Sequence, residues 1–186
     1  MFVSVKNINN TIHVKTQFNP DFTSAAKQIG GKFNFDEKTW QFDERNQELV
    51  KNVLMSIFGT DGYYQPIIDV EVTVKKRITA ECSPIYLAGR IIAQARGRDS
   101  GAICSEKIAF IEKKPQSGGS TKYWTTEIAE GAVFRILDLY EGATDLLDQC
   151  DSIEYKIINK HSNHSELEYL KSELARITAR IAELTA

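Results

Sequence analysis

The 186-residue chain is 42% apolar and 10% aromatic, enough for a chain of this size to bury a core without disulfides. Its formal net charge of −2 argues against a general polyanion binder. Cys82, Cys104 and Cys150 lie far apart with no Cys-x-x-Cys pair, which fits no disulfide framework and suits free thiols in a reducing cytoplasm.

No basic-then-apolar signal pattern opens the chain, and no apolar run approaches the roughly 18 residues of a membrane span. The expectation is a cytoplasmic protein, neither secreted nor membrane-spanning. Charge is unevenly spread. Residues 75–124 hold ten Lys/Arg against four Asp/Glu, whereas residues 136–164 hold six acids and two lysines. A basic face in the middle segment is one reading; ordinary solvated strand charges are the other.

In chain order, residues 2–8 and 11–18 alternate and are rich in β-branched side chains, with Asn9-Asn10 suited to a tight hairpin turn between them. Asn19-Pro20 then reads as a cap followed by proline at the first helical position. Phe22, Ala25, Ala26 and Ile29 recur on one helical face, and Gly30-Gly31 stops it. Residues 32–35 and 39–42 suggest a second hairpin. Leu49, Val50, Val53, Leu54 and Ile57 form the apolar stripe of a second helix, ended by Gly59. The expected order is ββαββα over residues 1–62.

Residues 63–160 predict a central antiparallel β-rich domain, a small sandwich or barrel, making the chain α+β overall. Residues 70–74, 85–95, 108–112, 124–128, 133–140 and 153–158 read as strands, and Pro115–Ser120 reads as a loop. Residues 161–186 suggest a coiled-coil oligomerisation helix. Leu167, Leu170, Leu174, Ile177, Ile181 and Leu184 alternate spacings of three and four, and Ser165 to Glu168 forms a capping box. A homo-oligomer follows as an expectation, with a dimer placed first. The alternative is that the helix folds back onto its own domain.

Phe18-Asn19, Ala26-Lys27-Gln28-Ile29-Gly30-Gly31-Lys32-Phe33-Asn34 and Asp36-Glu37-Lys38-Thr39-Trp40-Gln41-Phe42 resemble the HARP domains of annealing helicases and related plasmid and phage modules. The resemblance covers under a third of the chain. It implies recognition of branched or partly single-stranded DNA by binding alone, since no helicase motor accompanies it.

Basic side chains interleaved with aromatics are how proteins grip single strands. In the N-terminal unit Lys27, Lys32, Lys38 and Trp40 are the candidates, although a Trp in a short hairpin also packs readily on a neighbouring helix. In the middle segment they are Arg90, Arg96, Arg98, Lys113, Lys114, Lys122 and Trp124, around two Gly/Ser loops whose backbone N–H groups could face phosphate. Neither loop is a P-loop. His161 and His164 lack Cys partners and read as solvated linker residues, so no metal site and no cofactor are expected. Ser100 and Ser120 have no identifiable His/Asp partners, so no catalytic residue is assigned. The expected function is non-catalytic binding of DNA or RNA, single-stranded or branched, in a mobile element such as a plasmid or phage. The alternative is a protein-binding inhibitor or adaptor, an anti-CRISPR-like counter-defence protein acting on a host complex.

Overall fold

The computed structural model describes residues 3–63, 65–161, 170–171, 173–178 and 181–182. Strands β1 (Val3–Ile8) and β2 (Thr11–Thr16) form a hairpin across Asn9-Asn10, whose φ angles of 48° and 61° asparagine tolerates. Helix α1 (Pro20–Gln28) starts at Asn19, whose Oδ1 accepts the Phe22 amide at 3.0 Å. Strands β3 (Lys32–Asn34) and β4 (Thr39–Asp43) follow, then a 3₁₀ turn at Glu44–Asn46 and helix α2 (Gln47–Phe58). These strands form one sheet in the order β1-β2-β4-β3.

Beyond residue 65 the elements are short. They are β5 (Ile67–Val74), β6 (Ile78–Glu81), β7 (Ile85–Leu87), β8 (Arg90–Ala95), β9 (Ala102–Cys104) and β10 (Ile108–Glu112). Then come β11 (Gln116–Gly119), β12 (Trp124–Ile128), β13 (Val133–Tyr140), a 3₁₀ turn at Glu141–Ala143, α3 (Thr144–Asp148) and β14 (Ile153–Lys160). They build a four-stranded sheet, β10-β13-β5-β14, and two three-stranded sheets, β11-β12-β6 and β7-β8-β9. Every strand pairing is antiparallel.

The expected fold class is corrected on three counts. The N-terminal order is not a plain ββαββα. Asp43 accepts the Arg45 amide and holds a 3₁₀ turn between β4 and α2, because Glu44-Arg45-Asn46 offers no apolar residue to extend the helix. The central region is not one sandwich or barrel but three small sheets. The expected strand over residues 85–95 breaks into β7 and β8 where Ala88 and Gly89 both take positive φ, and the expected loop at 115–120 contains β11. Finally, no long C-terminal coiled-coil helix is found among the described residues. Of the expected seam, Leu170, Leu174, Ile177 and Ile181 stand on helical backbone but are exposed and join no buried cluster. Leu167 and Leu184 lie outside the described residues.

Among the described residues a buried cluster runs from Val3 and Phe22 through Phe58 to Val72, Phe134 and Leu147. Several contacts tie the first sixty residues to the rest. The Tyr140 hydroxyl accepts the Val3 amide and donates to the Val3 carbonyl, both at 3.1 Å. The buried Asn19 side chain donates to the Gly89 carbonyl at 3.3 Å. Gly89 lies against the Phe58 ring, and Gly59 against the backbone of Ala143. No helix among the described residues is long and apolar enough to cross a membrane.

Candidate nucleic-acid interface

The two Gly/Ser loops picked out by sequence meet in space. Ser117, on β11, donates through its hydroxyl to the Arg98 carbonyl at 2.7 Å and accepts the Gly101 amide at 3.0 Å. The β8–β9 loop is thereby fastened to the β11 edge of its neighbouring sheet. Within that loop the Ser100 hydroxyl accepts the Arg96 amide and lies 2.9 Å from the Gly97 carbonyl and 2.7 Å from that of Gly101. Its hydrogen bonds among the described residues all close the turn. At the far end of β11, Ser120 and Tyr123 exchange backbone and hydroxyl bonds.

Four exposed cations stand on the chain segments that meet or flank β11 at this junction. Arg96 and Arg98 lie at the Ser117 side, Lys114 shortly before the strand, and Lys122 in the turn after it, all exposed. Lys114 is close enough to Cys104 for its charge to oppose the rise that burial causes in that thiol's pKa. A four-residue strand covers about 13 Å, a length that several phosphates can follow. Lys122 lies over the exposed Tyr123 ring, 5.2 Å from its centroid, which places an aromatic among the charges. The amides of Arg96, Ser100, Gly101 and Ser120 are taken by the loops' own oxygens. An anion here meets side chains, not the cradle of backbone N–H groups considered from sequence.

Other expected contacts are placed differently. Arg90 is buried, and its Nη1 donates to the carbonyls of Leu137 at 2.8 Å and Asp138 at 3.2 Å. Burial pulls its pKa down to about 10. It holds a strand in place and does not reach the surface. Lys113 curls onto the Glu130 carbonyl at 2.7 Å, and Trp124 is half-buried in β12. Arg98 is paired with Asp99, whose hydrogen bond raises the guanidinium pKa further. Arg77 pairs with Glu127, and Lys107 with Asp138 at 3.0 Å. Part of the middle segment's positive charge is therefore already met by carboxylates.

In the N-terminal unit Lys27, Lys32 and Lys38 are exposed, but Trp40 is 8% exposed and packs edge-on against Phe22 at 6.1 Å and Phe33 at 5.5 Å. It is a core residue. The rings exposed to solvent there include Phe18, Phe33 and Phe35, the last 81% exposed, with Phe33 and Phe35 in mutual T-shaped contact at 5.1 Å. Neither Phe33 nor Phe35 is among the contact candidates read from the sequence. The Ala88-Gly89 turn at one end of β8 docks on α1 and α2, and the Arg96–Gly101 loop leaves the other end, about 20 Å away along six residues.

His161 also departs from the linker role read from sequence. It follows β14, donates its amide to the Ile67 carbonyl at 3.1 Å, and sets Nε2 3.0 Å from Asp69 Oδ1. Burial raises the Asp69 pKa, but bonds from His161, the Asp138 amide and Asn159 outweigh it and hold the carboxyl below its ordinary value. His164 lies outside the described residues.

No protein-family model, curated protein or solved structure matches the chain.

Proposed function

We propose that the chain binds single-stranded nucleic acid along the β11 edge. The observation that carries this reading is the Ser117 junction, which gathers Arg96, Arg98, Lys114 and Lys122 around one short strand beside the exposed Tyr123. Phosphates follow the cations and a base stacks on the ring. The resemblance of residues 12–54 to HARP domains points to the same class of ligand.

With Arg98 held by Asp99, three phosphate contacts from Arg96, Lys114 and Lys122 give a slope of roughly −2 in log affinity against log salt, or about a 20-fold loss between about 50 and 200 mM. Anisotropy with a labelled oligonucleotide of about 15 bases measures it. Arg96→Glu with Lys122→Glu should flatten the slope and weaken binding at least tenfold. Absence of binding to single-stranded, duplex and forked probes at about 50 mM salt overturns the proposal, as does unchanged affinity in the variant.

A protein partner is the second reading, favoured by β9. It is an edge strand of its sheet, and Ile103 on it is 59% exposed. An exposed edge offers unpaired backbone groups to an incoming strand. Capture of a host protein that survives nuclease treatment and is lost in Ile103→Glu would favour it over the nucleic-acid reading.

A further inference from the structure

The four-stranded sheet carries two irregularities at one place. On one side of β5, Leu137 and Asp138 together stand opposite Asp69, a bulge between Ile136 and Leu139. On the other side, β14 bulges between Ile157 and Asn159, again next to Asp69. Asp138 takes a left-handed φ of 53° at its bulge, and the buried Arg90 fixes the Leu137 and Asp138 carbonyls from behind. Regular pairing would leave neighbouring side chains on alternating faces. The bulges instead turn Asp69, Asp138 and His161 toward one point.

Their donor atoms have the spacing of a metal's ligands. His161 Nε2 lies 3.0 Å from Asp69 Oδ1 and 3.7 Å from Asp138 Oδ1, and one ligand atom from each of the three residues falls within 4.8 Å of the others. Bonds of about 2.1 Å place neighbouring ligands of an octahedral ion about 3.0 Å apart, and tetrahedral zinc ligands about 3.3 Å apart. Closing the His161–Asp138 gap takes about half an ångström. Lys107 occupies the other oxygen, Asp138 Oδ2, and leaves Oδ1 turned toward the histidine.

A separate feature gives this point access. A cleft of about 550 Å³ opens between the N-terminal sheet, through Ser4, Lys15 and Gln17, and the central sheet, through Ile67, Asp138 and Tyr140. Asp138 forms part of its wall, so coordination positions not filled by protein can face a solvent-filled space.

We infer that Asp69, Asp138 and His161 bind one divalent first-row transition ion, zinc or manganese in character, with its open positions directed into this cleft. One imidazole with two carboxylates suits that class, whereas calcium demands six to eight oxygens. Lys15, Glu106 and the Asp138-paired Lys107 also line the cleft, so its opening carries charge of both signs.

The whole chain would be titrated with Zn²⁺ by calorimetry and with Co²⁺ by visible absorption. One ion per chain is expected, with a cobalt d–d spectrum and a rise in melting temperature on adding zinc. His161→Ala and Asp138→Asn should each weaken affinity at least tenfold and remove that thermal shift. Asparagine tolerates the left-handed backbone of residue 138, so the second variant keeps the bulge. His13→Ala, at the His13–Glu37 pair, should bind as the parent does. Failure of the parent chain to bind either ion at about 100 μM overturns the inference. So does equal affinity in both site variants.

Discussion

Replacing Gly59 by alanine tests how the N-terminal and central parts are packed together. Gly59 ends α2 with a φ of 66°, and its amide donates to the Met55 carbonyl at 3.0 Å. A Cβ there would lie 2.7 Å from the Ala143 Cβ and closer still to that residue's backbone Cα and N. Backbone cannot step aside as the tip of a side chain can. Gly101 has the same φ of 66°, but a Cβ there meets nothing within 4 Å. The pair therefore separates conformational cost from steric cost. Alanine in a left-handed conformation costs roughly 1 kcal/mol at either site, and forced overpacking adds about 3 kcal/mol at residue 59 alone. Gly101→Ala should lower the melting temperature by about 2–4 °C and Gly59→Ala by about 8–16 °C. Urea unfolding gives the free energies directly. Equal losses in the two variants would refute the packing of α2 against the turn before α3.

Tyr140→Phe should destabilise by about 2 kcal/mol in the same assay, because it strips one hydroxyl from both polar backbone groups of the buried Val3. Trp40→Ala should cost about 3–5 kcal/mol and Phe35→Ala under about 0.5, with melting curves showing the contrast between a core ring and an exposed one. Asp43 is held at about 2, first by the side-chain and then by the backbone hydrogen bond from Arg45. A lowered carboxylate pKa means that its contribution is present above the ordinary value of 3.8 and is lost as pH falls from about 4 toward 2. NMR titration should place its midpoint near 2, and Arg45→Ala should return it toward 3.8.

Features legible in the sequence are those that a few adjacent residues decide. Asn9-Asn10 at the first hairpin, the Asn19-Pro20 cap and Gly59 after α2 all act through bonds spanning four residues or fewer. The β7–β8 turn was not legible, because positive φ at Ala88 leaves no compositional mark, and the neighbouring Gly89 is what lies against α2. Nor was β11, whose Gly118 reads as loop composition but serves a close approach to Glu127. The amphipathic rhythm of residues 167–184 was plain, yet periodicity names a face and not what covers it. For the candidate sites the distance along the chain is decisive. Gly101 and Ser117 are 16 residues apart, and Asp69 and His161 are 92 apart. Arg90 shows the same limit: a cation in a basic stretch is indistinguishable by sequence from one that props up a bulge.

The clasp between Tyr140 and Val3 has a practical consequence for dissecting this protein. Cutting the chain after residue 62 would strip the first strand of its hydroxyl partner, bare the Phe58 ring and remove the ridge on which Gly59 rests. A fragment so made would fail for want of its other half, whatever it once held. Roles can be parcelled out here only by point substitution in the intact polypeptide.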